Sequence, residues 1–129
     1  MLYRNINGDN RQVWLKKTLS GLPQGARILD AGAGKLRNQP LCGQLSYVSQ
    51  DFYRYKGSGD GKGLQTGRWD TTRIDLVCDI TAIPEPDAVF NATLCSKVLE
   101  HVPDPTKAIL GFTRLLKPGG KLIMTAPFA

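Results

Sequence analysis

The sequence predicts an α/β domain with a doubly wound, mostly parallel sheet. Short apolar runs that read as strands alternate with helix-period segments, and the turns between them are sharp and rich in Pro, Gly and Asp. The first central run, Ala26 to Leu29, leads into Asp30-Ala31-Gly32-Ala33-Gly34, an acid followed by two glycines spaced one apart. A buried strand that breaks so sharply lets backbone approach a ligand closely. A helix starting just after it would aim its first amides at the same ligand.

The elements follow in order. From Arg11 to Ser20, Leu15 and Leu19 recur at helical spacing and lead on to Leu22, with Lys16-Lys17 on the other face. Asp9 or Asn10 is the expected cap, and Gly21 and Pro23 end the helix. It packs on the sheet or closes over the ligand as a lid. Ile28 to Ala31 is the first strand. Lys35 to Leu45 is a poor helix, because Pro40 and Gly43 interrupt it. Ser46 to Phe52 reads as the second strand, ending at Asp51.

Tyr53 to Arg73 breaks the pattern, with five glycines and almost no aliphatic residues where a helix would be due. Arg54, Lys56, Lys62, Arg68 and Arg73 outnumber Asp60 and Asp70, with Tyr53, Tyr55 and Trp69 between them. It reads as a solvated loop, with nucleic-acid contact or a closing flap as the other readings. Ile74 to Ile80 is the third strand and contains Asp79; Ala88 to Ser96 is the fourth. Pro103-Asp104-Pro105 opens a helix whose apolar positions Ala108, Ile109, Phe112, Leu115 and Leu116 fit the helical period. Lys117-Pro118-Gly119-Gly120 stops it before a fifth strand from Lys121 to Ala126.

Bulk properties narrow the class. A chain of 129 residues suits one domain, and 41% hydrophobic with 22% charged residues is globular rather than disordered composition. No apolar run approaches the roughly 20 residues of a membrane span, and the N-terminus has no apolar signal core. Cys42, Cys78 and Cys95 have no metal-ligand spacing and read as reduced thiols of a cytoplasmic protein. The net charge of +6 is that of a mildly basic soluble protein, and neither nucleic acid nor a membrane is expected as a partner.

A dinucleotide loop needs a third glycine where this chain has Arg37, which argues against NAD. The motif Asp30-Ala31-Gly32-Ala33-Gly34 instead resembles the first motif of the class I S-adenosylmethionine-dependent methyltransferases. Asp51 after the second strand and Asp79-Ile80-Thr81-Ala82-Ile83-Pro84 match that family in order and spacing. So do Phe90 to Ser96, Val98 to Pro105 and Arg114 to Gly120, the last two close to the wording of a bacterial small-molecule subgroup. The resemblance covers about residues 11 to 128 and implies a Rossmann-like sheet of strand order 3-2-1-4-5. It also implies S-adenosylmethionine as cofactor and methyl transfer to a small-molecule acceptor.

By that resemblance, Ala31, Gly32 and Gly34 line the methionine end, Asp30 orients the motif and the amine, and the backbone near Cys95 and Ser96 faces that amine. Asp51 accepts from both ribose hydroxyls, Phe52 offers its ring to adenine, and Asp79 with Ile80 meets the adenine edge. Turn-capping roles remain open for Asp30, Asp51 and Asp79. His101 and Glu100 are the candidate catalytic residues, His101 as general base, with a packing or capping role as its alternative. In related quinone-pathway O-methyltransferases two acids and this His can hold a metal. Lys97 stands in place of the first acid, so no metal is expected.

The departures are Leu36 in place of a third glycine, Asn91 after Phe90, and the glycine-rich segment in place of a helix. The chain also ends at Ala129, just past the fifth strand, whereas the family's fold continues with a hairpin. The expectation is one domain over residues 1–129, incomplete at its C-terminus. The fifth-strand edge would then be exposed, inviting homodimer pairing or leaving the fold marginal. A non-catalytic binding or assembly domain and a nucleic-acid methyltransferase are the alternatives.

Overall fold

The computed structural model describes residues 2–4, 8–52 and 73–125. The glycine-rich segment expected to be a loop lies outside them from residue 53 to 72, as does the end of the fifth strand after Thr125. The elements are β1 (Leu2–Arg4), α1 (Gly8–Ser20), β2 (Arg27–Ala31), β3 (Ser46–Asp51), β4 (Leu76–Val77), β5 (Phe90–Ser96), α2 (Pro105–Leu115) and β6 (Leu116–Thr125). Two short 3-10 turns, Gln39–Cys42 and Leu99–His101, join them.

The strands form one sheet in the order β1-β6-β5-β2-β3-β4, and all five pairings are parallel. Counted over the five expected strands this is 3-2-1-4-5, with β1 added at one edge. Alternation of side chains along the central strands makes two apolar layers. Ile28, Leu94 and Ile123 face α1 and pack with Leu15, Leu19 and Leu22. Their neighbours Leu29, Cys95 and Met124 face α2 and pack with Ala108, Phe112 and Leu115.

Several expectations are adjusted. α1 begins at Gly8, so Asp9 and Asn10 lie inside the helix instead of capping it. The third strand shrinks to Leu76–Val77 because side chains take over the ladder around it: the Ser49 amide donates to Asp75 Oδ2 at 2.9 Å, and the Asp75 amide donates to Ser49 Oγ at 2.9 Å. The weak helix after the glycine loop is only the turn Gln39–Cys42, since Leu36 takes φ 62 and Pro40 sits in its first turn. α2 starts as read, with Asp104 as N-cap accepting from the Lys107 amide at 3.1 Å and a proline in the first turn. β6 begins directly after it. Phe90 pairs with Leu116 and Ala92 with Lys121, so Lys117 to Gly120 bulges out of the ladder. A Cβ on Gly120 would stand 2.9 Å from the Lys117 carbonyl oxygen.

The fifth-strand edge is not open where it was expected to be. β1 pairs with it from Ile123 to Thr125, with Leu2 opposite Ile123 and Arg4 opposite Thr125. The premise of a dimer through that edge is therefore corrected: the N-terminal segment of the same chain takes those backbone groups. Among the described residues no helix is long and apolar enough to cross a membrane.

Arg114, near the end of α2, clamps the segment that follows Asp79. Its guanidinium donates to the carbonyls of Ile83 and Glu85 at 2.9 and 2.8 Å and to Asp87 Oδ1 at 2.8 Å. Asp87 is largely exposed, so the two carbonyl bonds carry most of the effect. In urea denaturation, Arg114→Ala is expected to cost about 1–2 kcal/mol and Asp87→Ala less than about 0.5 kcal/mol. Lysine at position 114 restores only part of the loss, because it lacks the planar fork.

Candidate functional site

The C-terminal ends of β2, β3 and β5 converge at the turn Ala31 to Gly34. Gly32 has φ 75, and a Cβ there would lie 2.6 Å from Val98 Cγ2, so only glycine fits without moving the turn after β5. The Gly32 amide is shared by the Gln50 carbonyl and by Gln50 Oε1, both at 2.9 Å. The Gly34 amide donates to Asp51 Oδ2 at 2.7 Å. The end of β3 thus holds the glycine loop by backbone and side chain together.

A cavity of about 880 Å3 opens beside this loop. Gly32, Gly34, Asp51 and Phe52 form one side, and Asp79, Ile80 and Thr81 continue it. The opposite wall runs from Ser96 to Val98 and from His101 to Asp104, with Lys107. A smaller crevice of about 280 Å3 lies on the other side of the loop, between α1 and residues 35–38. The two share Gly32, Gly34, Ser96 and Lys97.

Of the residues singled out in the sequence, Gly32, Gly34, Asp51, Phe52, Asp79, Ile80, Ser96 and His101 line the larger cavity. Asp30, Ala31, Cys95 and Glu100 line neither. Strand alternation is the reason for the first three. Asp30 follows Ile28 onto the α1 face and is 2% exposed, while Ala31 and Cys95 lie buried among the α2-face residues. Glu100 stands beside the exposed His101, with Oε2 3.6 Å from Nε2. Among the described residues no three of His, Cys, Asp and Glu are placed to hold a metal ion.

The acids differ in their surroundings. Asp30 accepts from the Tyr47 hydroxyl beneath the loop. Burial pushes its carboxyl up to about 7; the Tyr47 bond offsets part of this, and the charge of Asp51 adds to it. Asp79 is exposed and closes a small turn, its Oδ1 accepting from the Thr81 amide at 2.8 Å and the Thr81 hydroxyl at 2.7 Å. The amide bond above all holds the Asp79 carboxyl below its usual range. Burial pushes the Cys42 and Cys95 thiols up to about 12, so both stay neutral.

The small crevice was missed in the sequence. It is lined by Arg11, Lys35 and Arg37, with Gln12 and Asn38. Arg11 is only 9% exposed, and among the described residues its Nε has no hydrogen-bond partner. A signal was there: Arg11, Leu15 and Leu19 repeat every fourth residue, so the cation occupies a position on the buried stripe of α1. Gln50, which braces Gly32, carried no such signal.

Comparison with known proteins agrees with this geometry. Residues 29–124 match the family model described as a methyltransferase domain. The ubiquinone biosynthesis O-methyltransferase of Xanthomonas oryzae pv. oryzae (strain PXO99A) is 44% identical over 110 residues, covering 78% of this chain and 43% of the relative. That of Xylella fastidiosa (strain 9a5c) is 36% identical over 104 residues, covering 78% and 42%. The chain therefore spans less than half the length of these curated relatives. Among solved structures, the YcgJ protein of Bacillus subtilis superposes with a TM-score of 0.68 at 19% identity, over 91% of this chain and 50% of that one. A Haemonchus contortus phosphoethanolamine N-methyltransferase, solved with S-adenosylhomocysteine, gives 0.64 at 24% identity, over 90% and 28%. The chain belongs to the class I S-adenosylmethionine-dependent methyltransferases.

The buried acid gives a test. With a folded value near 7 against an unfolded value near 3.8, Asp30 binds more protons in the folded state between these limits. Its contribution to stability is therefore full below about pH 4 and is lost as pH rises towards 7. Asp30→Asn still accepts from Tyr47 but does not ionise. The urea midpoint of the variant is expected to gain on that of the natural chain from pH 5 to pH 8. A constant difference across that range would mean that Asp30 titrates normally.

Proposed function

We propose that the chain binds S-adenosylmethionine across the glycine loop, nucleoside end in the larger cavity and amino-acid end in the smaller crevice, and methylates a small-molecule acceptor. The observation that carries this reading is the pairing of two unlike cavities on one loop. One has a carboxylate, Asp51, beside an aromatic ring; the other has the cation Arg11, whose Nε has no hydrogen-bond partner among the described residues. A diol and an adenine suit the first, and an α-carboxylate suits the second. The loop fits as well, because a Cβ at Gly32 would fill space that Val98 already takes.

In this reading Asp51 holds the ribose hydroxyls and Phe52 lies against the adenine. Asp79, Ile80 and Thr81 border the adenine edge. Gly32, Gly34 and the backbone around Ser96 hold the amino-acid end. Ala31, Cys95 and Asp30 support the loop from within the sheet and do not touch the cofactor. When bound, S-adenosylmethionine supplies a methyl group on a positively charged sulfur. The work of the chain is to align an acceptor and exclude water. His101 can take the proton of an acceptor hydroxyl, with Glu100 beside it at 3.6 Å. The free thiols of Cys42, Cys78 and Cys95 suit a reducing compartment and support a cytoplasmic location.

Calorimetry with S-adenosylhomocysteine tests the arrangement. The natural chain is expected to bind it, and Asp51→Asn, which can still accept from Gly34, to bind it about tenfold more weakly. Arg11→Met is expected to weaken it by a similar factor, about tenfold, while leaving adenosine binding unchanged. Absence of binding to the natural chain would overturn the reading. If Arg11→Met weakened adenosine equally, the assignment of the small crevice to the amino-acid end would fall.

A further inference from the structure

Two residues that line the small crevice each carry a buried side-chain polar atom with no hydrogen-bond partner among the described residues. One atom is Arg11 Nε, a donor; the other is Asn38 Oδ1, an acceptor. The third such atom among the described residues, Thr93 Oγ1, lies within β5 and away from the crevice lining. Buried polar groups are nearly always hydrogen-bonded. Two orphans of opposite character in one crevice therefore point to a ligand that carries both an acceptor and a donor.

Asn38 has no local use for its side-chain oxygen. It stands just before the turn Gln39–Cys42, where an asparagine ordinarily accepts from a backbone amide two or three residues on, yet no such side-chain bond forms. The residue two on is Pro40, which has no amide hydrogen. The Leu41 amide donates instead to the Asn38 backbone carbonyl at 3.0 Å.

Charge narrows the ligand further. Arg11, Lys35, Arg37 and Lys97 line the crevice, and no acidic residue does. In the reading proposed above, on which this inference rests, the α-carboxylate of the cofactor goes to Arg11. The α-ammonium beside it then lies among cations, with no carboxylate in the lining to receive it, and needs a neutral oxygen.

We propose that Asn38 is a specificity-determining residue whose side-chain oxygen accepts the α-ammonium, so that the crevice reads a complete α-amino-acid head group and not a carboxylate alone. An analogue without the amine would leave Asn38 Oδ1 buried and unpaired. It is disfavoured for that reason, although the surrounding cations would attract it.

Calorimetry on the full chain compares S-adenosylhomocysteine with its des-amino analogue, in which hydrogen replaces the α-amine. The natural chain is expected to bind S-adenosylhomocysteine about tenfold more tightly than the analogue. Asn38→Leu, similar in size but without an acceptor, is expected to erase that preference by weakening S-adenosylhomocysteine alone. Asn38→Asp keeps an acceptor and is expected to retain the preference, which covers the case in which leucine disturbs the turn. Equal weakening of both ligands in Asn38→Leu, as a packing or solvent-holding role would give, would overturn the role of Asn38. So would loss of the preference in Asn38→Asp, or a natural chain that binds both ligands equally; the cofactor assignment would then stand. Failure of the natural chain to bind S-adenosylhomocysteine would overturn that assignment and this inference together.

Discussion

Gly32 lies where the end of β2, the end of β3 and the turn after β5 press together, and the site depends on how closely they can approach. A side chain there would meet both methyls of Val98, at 2.6 and 2.8 Å, and drive the turn Leu99–His101 outwards. On the opposite side Gln50 and Asp51 hold the amides of Gly32 and Gly34. The junction of the two cavities is thus built largely from backbone, and its shape follows from one missing Cβ.

The same turn explains the division of labour among the acids. Asp51 ends its strand at the rim of the cavity, while Asp30 sits below the loop on the α1 face with the Tyr47 hydroxyl as its partner. The two charges oppose each other, and the one that water does not reach is driven towards its neutral form. Asp51 thus reaches the rim of the cavity, while Asp30 stays beneath the loop and does not line it.

The N-terminal segment contributes in two ways. α1 buries Leu15 and Leu19 in one of the two apolar layers and brings Arg11, on the same stripe, to the small crevice. β1 covers the outer side of β6 from Ile123 to Thr125 and satisfies backbone groups that would otherwise be free to pair with another chain. Packing and ligand chemistry are therefore coupled in the first helix, since the residues that fix its rotation also aim its cation.

Much was legible in the sequence because it is local. Apolar alternation, the helical repeat from Ala108 to Leu115, the Asp104 cap and the paired glycines each act within a few residues, and they marked out most of the elements; the order of the central strands came only with the family resemblance. The acids at strand ends and the loop between them carried the family. What only the tertiary structure decided is which of these residues face the cavity. One step along a strand separates Asp30 from Ala31 and Cys95 from Ser96, and the sheet assigns neighbours to opposite layers. Arg11 and Lys97 come to line the cavities only because α1 and the turn after β5 close on the glycine loop. Such contacts join residues far apart in the chain, and no short motif records them. Asp30 to Gly34 pointed to the kind of ligand; the packing of Val98, Asp51 and Arg11 around that loop shaped the two cavities beside it.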